Sequence, residues 1–303
     1  MDLPERFQQQ VRATWGARGA RWLEGLPDLL EECLERWSLS LEGPLPELRY
    51  HYLAYVRTAD GKDAVLKLGV PDRELITEVQ YLRAARGGPV VKLWKADPER
   101  GALLLERIRP GTPLSSLGDD EEAARIGARL IREAQLSGPF RGDFPTLADW
   151  ARAFSRLRGR FGGSTGPLPE RVVGRAETLL TELSAPGPEP RLLHGDLHHA
   201  NILQRGEGDW AVIDPKGVIG DPAYEAARFQ HNPISAVLSW NQPGDVVRRR
   251  LLILEEVLNF DRQRLLGWAY VDAVLSACWS LEDEDQGWEV MLAWIEIYEK
   301  LLR

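Results

Sequence analysis

An aspartate and an asparagine stand five residues apart in His194-Gly195-Asp196-Leu197-His198-His199-Ala200-Asn201. Thirteen positions after Asn201 a second aspartate, Asp214, ends the short apolar run Trp210-Ala211-Val212-Ile213. Transfer of a phosphoryl group from a nucleotide to an alcohol needs such a set. One carboxylate orients the attacking hydroxyl, and an amide oxygen with a second carboxylate holds Mg²⁺ against the phosphates. Asp196 fits the first role, Asn201 and Asp214 the second. An unperturbed aspartate has a pKa of about 3.9 and is a weak base toward an alcohol, so alignment is the larger part of what Asp196 offers. The rival reading is a capped turn with solvated polar residues. It gives no reason for a strand-borne aspartate at that distance.

The same chemistry requires a lysine on a strand to pair with the phosphates, held by a glutamate from the next helix. Ala64-Val65-Leu66-Lys67-Leu68 follows a Gly61-Lys62-Asp63 turn and has strand character. On a strand Val65 and Lys67 share one face, while Leu66 and Leu68 share the other. Val65 is therefore placed to lie over a base, with Lys67 reaching the phosphates. Leu75, Val79 and Leu82 then trace one face of a helix at i, i+4, i+7. Glu78 sits beside that face, and Glu74, one turn earlier, is the rival partner for Lys67.

These residues need elements to carry them. Residues 1 to about 37 read as helices, with Phe7, Val11 and Trp15 at i, i+4, i+8. Strand-favouring segments follow within 39–58 and at 64–68, 90–94 and 102–108, crossed by a helix over 73–86 that a Gly87-Gly88-Pro89 break ends. Beyond Gly111 the pattern is mainly helical: 120–135, 147–161, 169–183, 221–229 and 244 to the end, with Pro/Gly-rich loops near 162–169 and 185–190. The expectation is an α+β chain with a small antiparallel β-lobe over 1–107 and a larger helical lobe over 108–303.

Taken together, Lys67, Glu78, His194-Gly195-Asp196, Asn201 and Asp214 resemble the aminoglycoside phosphotransferase branch of the protein-kinase-like superfamily, in which H-G-D replaces H-R-D. The run Val212-Ile213-Asp214-Pro215-Lys216-Gly217 and the segment Gly220-Asp221-Pro222-Ala223-Tyr224-Glu225 resemble a narrower group, the streptomycin 6-kinases and hydroxyurea-resistance kinases. The resemblance extends from about Trp37 onward. It implies a two-lobed kinase-like fold, ATP and Mg²⁺ as co-reactants, and transfer to a hydroxyl of an aminoglycoside, the 6-hydroxyl of streptomycin. It also implies a hinge after Leu103-Leu104-Leu105, where the backbone of Glu106 and Ile108 would meet the adenine edge. No G-x-G-x-x-G covers the phosphates; Leu41-Glu42-Gly43-Pro44-Leu45-Pro46 holds that place with one glycine, which leaves ATP or GTP open as donor. His194 reads as a brace for the loop, His198 and His199 as substrate contacts or local braces, and Lys216 as a possible phosphate contact.

The acceptor side is less legible. The resemblance implies carboxylates and aromatics in the helical lobe, and the candidates are Glu225, Asp221, Asp272, Glu282, Asp283 and Asp285, with Trp240, Trp268, Trp279 and Trp288 nearby. Glu225 ranks first because it lies one turn into the helix after the Asp214-to-Asp221 segment. Each has a plainer reading: Asp221-Pro222 as an N-cap with Pro at N1, the acidic run 282–285 as a solvated helix end, and the tryptophans as core.

Composition restricts the classes. The 303 residues are 44% hydrophobic, enough for a sizeable core, and carry a net charge of -8. That charge argues against nucleic-acid phosphate as a partner and suits a small cationic acceptor. Cys33 and Cys278 give neither a disulfide framework nor a Cys/His zinc spacing. No apolar run approaches the ~18 residues that span a bilayer, and Met1-Asp2-Leu3-Pro4-Glu5-Arg6 lacks signal-peptide order. The expectation is a cytoplasmic enzyme with no membrane segment and no obligate protein partner. Two alternatives remain: a metabolic kinase of the same fold acting on an amino sugar, cyclitol, amino alcohol or hydroxyurea-like hydroxyl, and a nucleotide-binding pseudokinase.

Overall fold

The computed structural model describes residues 2–185 and 187–303. The chain divides into two compact units, Met1–Gly111 and Thr112–Arg303. The segment 107–111 stays with the first unit because Arg107 pairs with Glu42 and Arg109 with Asp63, both residues of its sheet.

The first unit begins with α1 (Glu5–Trp37), which is broken at Gly16, where φ 55 and ψ -130 leave the helical region. Five strands follow: β1 (Leu39–Pro44), β2 (Tyr52–Thr58), β3 (Asp63–Leu68), then α2 (Arg73–Ala84), β4 (Leu93–Asp97) and β5 (Ala102–Glu106). All pairings are antiparallel, in the order β1-β2-β3-β5-β4. Alternation decides which face is buried against α1. Leu66 faces Ala54 and Leu104 across its two neighbours, and Leu68 faces Tyr52 and Ala102. All of these join Phe7, Val11, Leu26, Leu30 and Trp37 of α1 in one core. The opposite face is thereby left to Val65 and Lys67. β4 starts three residues later than the apolar run at 90–94 suggests; Val90 and Val91 are buried but precede the ladder, after two glycines at φ 90 and 72.

The second unit is built on helices α3 (Asp120–Ala134), α4 (Leu147–Arg160), α5 (Glu170–Ser184), α6 (Glu225–Gln230), α7 (Ile234–Ser239), α8 (Pro243–Leu258), α9 (Arg262–Glu282) and α10 (Gly287–Leu301). Its centre is α9, buried almost continuously from Leu265 to Cys278. Between α5 and α6 lie two small antiparallel pairs, β6 (Arg191–Leu193) with β9 (Val218–Gly220) and β7 (Ile202–Gln204) with β8 (Trp210–Val212). The single helix expected over 221–229 is a 3₁₀ turn, Pro222–Tyr224, capped by Asp221 and followed by α6. No described helix is long and apolar enough to cross a membrane.

Candidate active site

In the first unit, Lys67 Nζ donates to both carboxylate oxygens of Glu78 at 2.8 Å. Both residues are 4% exposed. The pair follows from the local folding. β3 is the middle strand and turns Lys67 to the face opposite the α1 core, where Glu78 of α2 meets it, and α2 is anchored by Asp72, whose side chain accepts from Leu75 N at 2.9 Å and from Trp15 Nε1 at 3.0 Å. Glu78 therefore meets Lys67 one turn beyond Glu74. Val65 is half-buried on the same face as Lys67. In the segment that replaces a glycine-rich loop, β1 is bulged between Leu41 and Gly43, and Glu42 accepts from Arg57 and Arg107. Of the two hinge residues, Glu106 donates its main-chain N–H to Lys92 O at 2.9 Å. That N–H is thus removed from the set available to an adenine edge. Ile108, just beyond β5, is buried.

In the second unit the loop between β6 and β7 carries Asp196 and Asn201, and the loop between β8 and β9 carries Asp214. His194 ties them together. Its Nε2 lies 3.0 Å from Ile213 O, its Nδ1 accepts from Asp196 N at 3.3 Å, and its carbonyl accepts from Lys216 N at 2.8 Å. These partners require the neutral ring with its proton on Nε2. Burial supports that state, pushing the pKa down to about 4. Gly195 has φ 82, and a Cβ there would come within 2.8 Å of Trp150 Cη2 and 3.1 Å of Val218 Cγ1. The small residue of H-G-D is therefore a steric requirement of this loop. Asn201 Nδ2 donates to Asp196 O at 2.9 Å, and Ile213 N donates to Asn201 O at 2.9 Å, which brings the Asp214 backbone alongside Asn201. Asp214 itself has φ 62, a conformation rare for residues other than glycine and found at functional turns.

The sequence reading missed Arg228. On α6, four residues after Tyr224, it donates to Asp196 Oδ1 at 3.2 Å through one terminal nitrogen and to Asp272 Oδ1 at 3.2 Å through the other. Asp272 is fully buried; Tyr224 Oη donates to it at 2.5 Å, and His231 Nε2 lies 3.3 Å from Oδ2. Burial acts to raise the Asp272 pKa, but Arg228, His231 and Tyr224 bring it well below the carboxylate range. Burial likewise opposes the charge on Arg228, and Asp272 and Asp196 more than offset it. Arg228 is a fixed cation bridging Asp196 to a buried anion. Nothing in a single arginine on a short helix signals this in advance.

The carboxylates expected to hold the acceptor are engaged otherwise. Glu225 is 1% exposed, and both its oxygens face Gly195 N, at 3.0 and 3.3 Å. It braces the catalytic loop at Gly195. Asp221 is also buried: Oδ1 accepts from Ala223 N, and Oδ2 accepts from Trp268 Nε1 at 2.5 Å and pairs with Arg264. Asp285 accepts from Gly287 N at 2.6 Å and from Ser280 Oγ, and Asp283 is the exposed cap of α9. Their neighbours Glu282 and Glu284 pair with Arg156 and Arg160 of α4. The acidic run ties α9 to α4. His199 is buried and stacked on Phe229 at 4.1 Å, whereas His198 Nε2 lies 3.8 Å from Asp196 Oδ1.

Burial pushes the Glu225 carboxyl up to about 7, against the lowering effect of its N–H donors. The folded value lies above the unfolded one near 4.5, so the stability this proton confers is complete below pH 4.5 and is lost as pH rises through 7. His194 acts oppositely, losing stability as pH falls from 6.5 toward 4. The parent's own profile therefore mixes two slopes. We expect the stability difference, parent minus Glu225→Gln, to fall by on the order of 3 kcal/mol between pH 4.5 and 7 in urea unfolding. A difference independent of pH would contradict the buried assignment.

The donor set suits a hard cation. Asn201 Nδ2 is engaged by Asp196 O, so the Asn201 amide oxygen would face a metal, and Asp214 on the adjoining loop would add a carboxylate. Among the described residues no group of three or more His, Cys, Asp and Glu could hold an ion. Mg²⁺ does not need one, since it is held by one or two protein ligands together with waters and phosphates.

The comparisons with known proteins agree with this geometry. The family described as aminoglycoside/hydroxyurea antibiotic resistance kinase matches residues 36–284. The streptomycin 6-kinase of Streptomyces glaucescens is 31% identical over 284 residues, covering 93% of this chain and 92% of that protein. The hydroxyurea phosphotransferase of Kitasatospora aureofaciens is 33% identical over 288 residues, covering 93% and 81%. Among solved structures, an aminoglycoside phosphotransferase in ternary complex with ADP and hygromycin B has a TM-score of 0.63 at 17% identity, over 90% of this chain and 97% of that one. The choline kinase LicA of Streptococcus pneumoniae has a TM-score of 0.63 at 16% identity, over 92% and 99%. These last two show the protein-kinase-like fold, and the family match over most of the chain places it, as an O-phosphotransferase, among the aminoglycoside/hydroxyurea antibiotic resistance kinases.

Proposed function

We propose that the chain transfers the γ-phosphate of ATP to a hydroxyl of streptomycin, the 6-hydroxyl. The observation that carries transfer is the partly exposed Asp196 carboxylate, held by Arg228 on one oxygen and set beside Asn201 and Asp214 on adjoining loops. Two streptomycin 6-kinases each matching 93% of this chain support the acceptor. Asp196 accepts a hydrogen bond from the acceptor hydroxyl, aligns its lone pair on the phosphorus, and takes the proton as the new O–P bond forms and the bond to ADP breaks. Arg228 holds the carboxylate in one orientation by its hydrogen bond to Oδ1. Lys67, oriented by Glu78, binds the α- and β-phosphates, and Ile108 offers main-chain groups to the adenine, beneath Val65. Asn201 and Asp214 would hold Mg²⁺, which supplies charge neutralisation on the phosphates.

A second reading has its own support: the Kitasatospora hydroxyurea phosphotransferase is 33% identical, as similar as the streptomycin kinases. One assay separates the two. Nucleotide consumption is followed with ATP and with GTP against streptomycin, other aminoglycosides, hydroxyurea, amino sugars and cyclitols, and the product mass is recorded. Streptomycin is expected to give the largest kcat/KM and a monophosphate at the 6-position. Turnover of hydroxyurea alone would replace the acceptor, and turnover of nothing on the panel would reject the reading.

A further inference from the structure

With Glu225, Asp221 and Asp285 engaged by main-chain and side-chain partners, other groups are needed to hold the acceptor beside Asp196. We infer that Trp150 and Trp279 form the wall of the acceptor subsite and stack on the apolar face of a saturated, hydroxylated ring bearing cationic groups. This inference rests on the proposed aminoglycoside acceptor. Trp150 comes from α4 and Trp279 from α9, and their rings meet edge to face with centroids 5.7 Å apart and planes at 89°. Both reach Asp196 by independent routes. The Trp150 ring edge is seated so closely on Gly195 that a Cβ there would be 2.8 Å from it, and Gly195 precedes Asp196. The Arg228 guanidinium carbon lies 5.6 Å from the Trp279 centroid, while the same guanidinium bonds Asp196 Oδ1 at 3.2 Å.

Simple core packing would bury these rings, as it does Trp268 at 2% exposure and Trp294 at 0%. Trp150 and Trp279 are only half-buried, although Trp279 belongs to the most buried helix of the unit. The charges near the two rings point the same way. Asp149 caps α4 and pairs with Arg152, and Glu282 and Glu284 pair with Arg156 and Arg160. The neighbouring carboxylates are thus already paired and Arg228 already lies over the Trp279 ring, so what the wall offers an acceptor is indole surface rather than free charge. An aminocyclitol has what such a wall takes: C–H groups on one ring face and guanidinium or ammonium groups at its edge.

The test is steady-state kinetics of Trp279→Leu, Trp150→Leu and Trp279→Phe with streptomycin, or with whichever panel compound the parent phosphorylates. The leucine variants should raise the acceptor KM about three- to thirty-fold with the ATP KM unchanged, and Trp279→Phe should recover most of the loss. Streptomycin titrated into the parent should quench tryptophan fluorescence with a midpoint near its KM, and Trp279→Phe should remove a large part of that change. This second readout stands even where a leucine variant fails to fold. Unchanged acceptor KM in folded leucine variants, or a parent whose fluorescence is indifferent to saturating acceptor, would overturn the wall. Failure of the acceptor reading itself shows in the parent alone, as absence of turnover across the panel, and removes the subsite with it.

Discussion

Asp196→Asn is expected to lower phosphoryl transfer about 10²- to 10⁴-fold while nucleotide affinity is retained. The Lys67–Glu78 pair in the other unit is untouched by the substitution, so nucleotide affinity is the internal control. Asparagine is the informative replacement. It keeps an oxygen for the Arg228 donor at 3.2 Å, so the bridge to Asp272 persists. Alanine would also leave one Arg228 nitrogen without its carboxylate in a partly buried setting, and a folding defect would then mix with the chemical one. Single-turnover transfer with saturating acceptor, paired with calorimetric titration of nucleotide, separates the two. Near-parental transfer in Asp196→Asn would mean that another group aligns the hydroxyl.

The sheet and its crossing helix were legible because period-two and period-3.6 patterns are read directly from apolar positions. Leu66 and Leu68 could face only a core, which left Lys67 on the opposite face. The rivalry between Glu74 and Glu78 was not resolvable that way, since both flank the same stripe. It is decided by where Asp72 caps α2. What covers the sheet was equally hidden: the apolar stripe of α1 announces burial but not its partner, and the break at Gly16 depends on one backbone conformation.

On the acceptor side, sequence proximity misled for a physical reason. Glu225 does lie close to the catalytic loop, but a carboxylate one turn into a helix can point to solvent or to the interior. What turns it inward is a main-chain N–H thirty positions earlier. The run 282–285 looked like free acidity because its arginine partners sit on α4, more than a hundred residues away. Arg228 matters only because the Asp196 loop, α6 and α9 converge, a three-element coincidence that no local window contains. Trp279 was one of four tryptophans with equal standing until its contacts with Trp150 and Arg228 distinguished it.

The remaining large effect belongs to Lys67. Lys67→Ala should destabilise the fold by about 3–5 kcal/mol, because it removes the cation that meets both oxygens of a Glu78 carboxylate only 4% exposed. It should also weaken ATP binding roughly ten- to a hundred-fold, the value of a charged hydrogen bond of about 1.5–3 kcal/mol to phosphate. Those two losses have different origins and can be pulled apart. Replacing a buried ion pair by apolar side chains of similar volume is close to neutral for stability, so Lys67→Met/Glu78→Leu should regain most of the unfolding midpoint. ATP affinity should not return with it, since neither methionine nor leucine can meet a phosphate. If the double variant recovered both, the lysine would be a structural strut and the phosphates would be held elsewhere. If it recovered neither, the pair would be stabilising beyond what its desolvation costs, and the packing of α2 on β3 would depend on the charges themselves.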